Sequence, residues 1–176
     1  EGKEHRDDRD PVTGLTLPAV INVNGIHIWW KEGKVHRIDR DPETGLTLPA
    51  AIWEDGTHVW YKEGKEHRDD RDPVTGLTLP SRIYLDGTLH WYKENKWHRD
   101  DRDPETGLTL PAYINADGTK IWYKEGKCNR DDKDPETGLT LPAVIRANGE
   151  KIWYKNGEKH RDDRDPRSEE HTSELQ

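Results

Sequence analysis

The chain repeats itself every 31 residues with almost no drift. Trp29, Trp60, Trp91, Trp122 and Trp153 fall one period apart, as do Gly14, Gly45, Gly76, Gly107 and Gly138. The unit reads G-K-x-H-R-D-D-R-D-P-[VE]-T-G-L-T-L-P-A-x-I-x-x-[DN]-G-x-x-x-W-Y-K-E. A unit this short is one supersecondary element that cannot bury a core alone, so neighbouring copies must stack or ring to do it. Repetition also weighs against an enzyme, because any catalytic group would be present in every copy.

The copies run 1–31, 32–62, 63–93, 94–124 and 125–155, with a partial copy at 156–166, and are read as a single β-repeat domain over 1–166. The last ten residues, 167–176, leave the pattern and resemble the translation of a common sequencing adapter. They are expected to be a non-native tail outside the fold. With no methionine and a start partway through a unit, the chain is expected to be a fragment of a longer reading frame.

Charged residues make up 36% of the chain, the net charge is −8, and only 30% is hydrophobic. Those values lean towards disorder. Eight Trp and six Tyr oppose that lean, since each aromatic buries a large area. A folded domain with a thin, aromatic-rich core is the reading that satisfies both. Its acidic surface gives no reason to expect nucleic acid or anionic lipid as partner. The single cysteine, Cys128, excludes an internal disulfide and argues against a thiolate metal site. No apolar run approaches membrane-spanning length.

Period-two alternation predicts strands. Leu46, Leu48, Ala50 and Ile52 alternate with Thr47, Pro49, Ala51 and Trp53, placing the first set on a buried face. Asp55-Gly56 and its equivalents then predict a tight turn. In the next strand Val59 and Tyr61 share one face, and His58, Trp60 and Lys62 the other. Asp41-Pro42-Glu43-Thr44-Gly45 predicts a hairpin tip. Three full reversals per unit would leave successive copies pointing in opposite directions. The Glu-Gly-Lys step is therefore expected to be a bulge or corner. No helix is expected.

The elements Trp60-Tyr61-Lys62, Glu63-Gly64-Lys65, His67-Arg68-x-Asp70 and Pro80-Ser81 resemble the tandem repeats of β-flower proteins. Those repeats read W-Y-x-N-G-x-x-H-R-x-D-G-P-A and are sometimes labelled as MORN variants. The resemblance covers residues 1–166. It implies an all-β fold: a shallow, rotationally symmetric barrel from which hairpin petals radiate, an open β-repeat array being the alternative. It implies no catalytic residues. The chain departs from the family at the petal, where Asp-Arg-Asp-Pro-Glu-Thr-Gly-Leu-Thr-Leu-Pro-Ala replaces a tight Asp-Gly-Pro-Ala corner, so longer petals are expected.

Candidate binding residues follow from the aromatics. Trp29, Trp60, Trp91, Trp122 and Trp153, with the variable Trp53, Tyr84 and Tyr113, could stack on sugars or cations. The competing reading puts the recurring Trp in the core and the variable positions on the outer face. The D-x-D pairs Asp39/Asp41, Asp70/Asp72 and Asp101/Asp103 resemble half of a calcium loop. The expected reading is a turn in which Asp caps its own backbone, with calcium as the alternative. The recurring His, interrupted by Asn129, is expected to hydrogen-bond or stack between units. No cofactor and no metal is expected. The expected function is a non-catalytic scaffold or interaction module with a protein partner, or alternatively a multivalent lectin with a glycan partner.

Overall fold

A computed structural model describes residues 6–160; the adapter-like tail, the partial last copy from 161 and His5 lie outside the described residues. Among the described residues every regular element is a two-residue strand, and there is no helix. The first set is β1 (Val20–Ile21), β2 (His27–Ile28), β3 (Trp30–Lys31) and β4 (Lys34–Val35). Next come β5 (Ala51–Ile52), β6 (His58–Val59), β7 (Tyr61–Lys62) and β8 (Lys65–Glu66). The third set is β9 (Arg82–Ile83), β10 (Leu89–His90), β11 (Tyr92–Lys93) and β12 (Lys96–Trp97). The fourth is β13 (Tyr113–Ile114), β14 (Lys120–Ile121), β15 (Tyr123–Lys124) and β16 (Lys127–Cys128). The last is β17 (Val144–Ile145), β18 (Lys151–Ile152), β19 (Tyr154–Lys155) and β20 (Glu158–Lys159).

The chain divides into two compact units, Glu1–Lys96 and Trp97–Gln176. In the first, an antiparallel sheet runs in the order β1-β2-β5-β6-β9-β10. Its register aligns Val20, Ile28, Ala51, Val59, Arg82 and His90 in one row across the strands. In the second unit β13-β14-β17-β18 repeat the arrangement, with Tyr113, Ile121, Val144 and Ile152 aligned. The Asp-Gly step between each pair of sheet strands is a turn closed by Gly56 N–H on the Trp53 carbonyl at 2.9 Å. Gly56 sits at φ 79°, a conformation a side chain would strain.

The expected face alternation does not hold. Ala50 and Ala51 are both buried, and so are Val59 and Trp60. The physical reason is that each long strand is broken. The chain turns a corner at Trp60, whose N–H pairs forward with the Ser81 carbonyl while its carbonyl accepts from His67 N–H. It turns another at Pro49-Ala50, since proline cannot donate to a ladder. Consecutive residues at a corner can both face inward.

The Glu-Gly-Lys step is likewise a clean hairpin and not a bulge. Tyr61 pairs with Glu66 and Lys62 with Lys65, around Glu63 at φ 51° and Gly64 at φ 80°. Two successive positive φ values make the primed turn that matches strand twist. The parity argument failed because the corners at Trp60 and Pro49-Ala50 also change the chain direction. The Asp-Pro-x-Thr-Gly tip is a hairpin, bridged by pairs such as Arg40 with Thr47 and Arg71 with Thr78.

Candidate functional site: the cleft between neighbouring petals

Within each unit the step from one copy to the next is built from the same four side chains. The Trp60 indole N–H donates to the Thr47 carbonyl at 2.8 Å, which fixes the ring against its own petal. Arg68 of the next copy lies over that ring, 3.9 Å from its centroid. The same guanidinium donates to Asp70 at 3.0 Å and to the Pro80 carbonyl at 3.2 Å. Asp70 in turn accepts the backbone N–H of Thr47 at 3.0 Å and the Thr47 hydroxyl. Trp29, Arg37, Asp39 and Thr16 make the same set of bonds, and so do Trp122, Arg130, Asp132 and Thr109. Burial acts to raise the Asp70 carboxyl, but hydrogen bonds from Thr47 and Arg68 outweigh it and hold the group below its ordinary range.

This arrangement decides the role of the recurring tryptophans. Trp29, Trp60, Trp91 and Trp122 are 6–8% exposed, and at Trp29, Trp60 and Trp122 a guanidinium covers the ring. Their indole rings are used inside the fold, so an open stacking surface is absent at these four positions. Trp153 is half-buried and donates to Thr140. Trp53, by contrast, is 39% exposed.

The calcium alternative meets a geometry that separates its ligands. Asp39, Asp70 and Asp101 turn to Arg37, Arg68 and Arg99, whereas Asp41, Asp72 and Asp103 turn to their own petal tips. Asp41 Oδ1 accepts from Glu43 N–H, Thr44 N–H and the Thr44 hydroxyl at 2.8–3.0 Å. Paired carboxylates that face different donors do not form one cation cage. Among the described residues, no three His, Cys, Asp or Glu groups gather to hold a metal.

Between successive petals lies a polar cleft of about 250 Å³ in the first unit, floored by Trp60 and Arg68 and rimmed by Arg40, Lys62, His67 and Asp69. Asp69 is clamped there, by Lys62 Nζ at 2.6 Å and by His67 Nε2 at 2.6 Å. The second unit has a counterpart of about 160 Å³ at Trp122, Arg102, Lys124 and Arg130. In it Asn129 replaces the histidine and donates to Asp131 at 3.0 Å.

The third copy carries a buried polar cluster that the repeat pattern conceals. Arg82 donates to Glu66 at 2.7 Å and to the Tyr84 hydroxyl at 3.3 Å. The Ser81 hydroxyl accepts Tyr92 N–H at 2.9 Å and donates to Glu66 at 3.4 Å. His90 packs edge-on to Tyr84 with ring centroids 4.8 Å apart. In the preceding copy the same positions are Val35, Ala50, Ala51 and Val59. In the fourth copy, Trp97 meets Tyr113 edge-on at 5.6 Å and stacks on Tyr123 at 5.2 Å. Tyr84 and Tyr113 are therefore half-buried members of these clusters and not outer-face residues. The sequence carries part of the signal: positions sixteen residues apart change together from Val35 and Ala51 to Glu66 and Arg82 and to Trp97 and Tyr113, although Glu4 stands with Val20. Burial pushes the Glu66 carboxyl up to about 7 against the opposing Arg82 and Ser81. It pushes the His90 imidazole down to about 4, with Arg82 acting in the same direction. Cys128, at the position of Glu66, is half-buried and its thiol is raised to about 11 by burial alone.

No protein-family model matches the chain, and a search of curated proteins finds no significant match.

Proposed function

We propose that this chain is a non-catalytic β-repeat module that serves as an interaction scaffold, in the manner of the β-flower proteins its repeats resemble. One observation carries the reading. The recurring Trp, Arg, Asp and Thr bind one another from copy to copy, whereas the side chains at the Asn-Gly and Asp-Gly turns vary and are exposed. Val23, Trp53 and Leu85 stand on those turns. A constant interior with a variable rim is the division of labour that a repeat scaffold requires. In this reading the copies close into a shallow barrel with radiating petals; an open array is the alternative. Ser81, Glu66 and His90 together invite an enzymatic reading, but Ser81 is 1% exposed and sealed from any substrate.

A multivalent lectin is the second reading, favoured by the clefts and no longer by the buried Trp faces. Each cleft mixes donors and acceptors beside an aromatic floor. At about 250 Å³ the larger is below the ~300–1,000 Å³ of ordinary small-molecule pockets, so it suits one residue of a longer glycan. A glycan array separates the two readings. The scaffold reading expects no saturable binding. Strong binding, lost in Lys62→Ala with an unchanged circular dichroism spectrum, would replace it with the lectin.

A further inference from the structure

Three of the recurring histidines reach across to the turn that opens the next copy, which begins with Glu63, Glu94 or Glu125. His36 Nδ1 accepts Glu63 N–H at 3.0 Å, His67 Nδ1 accepts Glu94 N–H at 3.2 Å, and His98 Nδ1 accepts Glu125 N–H at 3.1 Å. An accepting Nδ1 places the proton on Nε2, which at His67 and His98 faces Asp69 and Asp100 at 2.6 Å. At the following step Asn129 stands in for the histidine, and its Oδ1 accepts Asn156 N–H at 2.9 Å.

The turn residue changes together with its partner. His36, His67 and His98 each face a glutamate, while Asn129 faces Asn156. The glutamate side chain is close to the same ring nitrogen that its own backbone N–H occupies. Glu63 Oε1 is 3.6 Å from His36 Nδ1, Glu94 Oε1 is 3.4 Å from His67 Nδ1, and Glu125 Oε1 is 2.9 Å from His98 Nδ1. A neutral acceptor has no use for a carboxylate there. An imidazolium does. The non-titrating pair Asn129–Asn156 keeps the backbone bond and has no carboxylate.

We propose that the histidine at each boundary between copies is a proton-operated latch. When neutral, its Nδ1 holds the backbone N–H of the next copy's turn. When a proton from solvent occupies Nδ1, that nitrogen donates to the glutamate carboxylate of the same turn residue, and the backbone N–H is released. The bonds of Trp60, Arg68, Asp70 and Thr47 do not involve the imidazole, so the boundary rearranges without coming apart.

The surroundings grade the latches. His67 lies between Asp69 and Glu94, with Lys62 paired to Asp69 and Lys65 to Glu94. His98 lies between Asp100 and Glu125. His36 has Glu63 but Ile38 where the others have Asp, and Lys31, Lys34 and Lys62 bear on it. Burial of the His36 imidazole lowers its proton affinity, with Glu63 opposing. Burial therefore resists proton uptake at the His36 latch.

The test is residue-resolved NMR of the whole chain, acidified from about pH 8 to about pH 5, the range in which histidine changes charge. Imidazole titration is followed together with amide exchange protection at Glu63, Glu94, Glu125 and Asn156. Protection of each glutamate amide should fall about fivefold as its own histidine titrates, the size of one ordinary hydrogen bond. Asn156 should not respond. His67→Asn, which copies Asn129, should abolish the response at Glu94 and leave Glu125 unchanged. Should that variant fold poorly, Glu94→Gln keeps the ring and removes the receiving carboxylate, and His67 should then titrate at lower pH. Protection that stays constant through imidazole titration, a parallel change at Asn156, or an unmoved His67 in Glu94→Gln would each overturn the latch.

Discussion

Asp70 accepts both the backbone N–H and the hydroxyl of Thr47, a residue 23 positions earlier and in the preceding copy. This bond, with the Arg68 guanidinium on the same carboxylate, closes each petal against its neighbour. Both ionic side chains are 6% exposed, so neither can be replaced by water at small cost. Breaking a buried pair by removing one partner costs about 3–5 kcal/mol. Asp70→Asn should fall in that range. Thr47→Val, which removes only the hydroxyl, should cost about 1.5–3 kcal/mol.

The same carboxylate predicts an acid limit. Its folded value lies below the ordinary 3.8 of an aspartate, so the stability it supplies is complete above 3.8. It is lost as pH falls through the folded value. Asp39 and Asp132 are held down in the same way. Urea melts between about pH 5 and pH 3 should show this loss, and it should be smaller in Asp70→Asn. An equal loss in parent and variant would remove Asp70 as a source.

Two tryptophans seven residues apart should behave differently. Trp60 is 7% exposed, bonded through its N–H and covered by Arg68, whereas Trp53 is 39% exposed at a turn. Truncating a buried aromatic costs about 3–5 kcal/mol. A thin-cored domain holds only ~5–15 kcal/mol in total. Trp60→Ala should severely destabilise or unfold the chain, and Trp53→Ala should cost less than half as much. Urea melts followed by far-ultraviolet circular dichroism make the comparison. Equal losses would mean that Trp53 is a structural side chain and not part of a variable rim.

Local chemistry was readable and distant contact was not. Asp41, Thr44 and Gly45 specify the petal tip through bonds spanning two to four residues, so their spacing alone was enough. The Asp55-Gly56 turn was readable for the same reason. The failures came where the chain changes direction. Trp60 looked like one residue of a continuous strand, and only its bonds to Ser81 and His67 show the corner that lets Val59 and Trp60 both face inward. Glu63 at positive φ gave no warning either, because a non-glycine residue there runs against local preference. The Glu66–Arg82 contact spans 16 residues and was concealed as two unrelated variable positions.

That contact also supports a prediction about how interchangeable the copies are. Glu66, Ser81, Arg82 and His90 form a polar cluster where the preceding copy has Val35, Ala50, Ala51 and Val59 in the same fold. Arg82→Ala alone leaves Glu66 buried without its cation and should cost about 3–5 kcal/mol. Replacing all four residues with those of the preceding copy removes both charges and restores an apolar row. Such replacements are commonly neutral or stabilising, by about 1–4 kcal/mol. The comparison should depend on pH. Glu66 is raised above its ordinary 4.5 to about 7, so the stability it contributes is present below 4.5 and lost as pH rises through about 7. His90, depressed to about 4, contributes in the opposite sense below its ordinary 6.5, so the fourfold variant should gain on the parent between about pH 6.5 and pH 8 in urea melts. A variant less stable than the parent by several kcal/mol at both ends of that range would show that the third copy depends on its charges, and that the copies are not exchangeable.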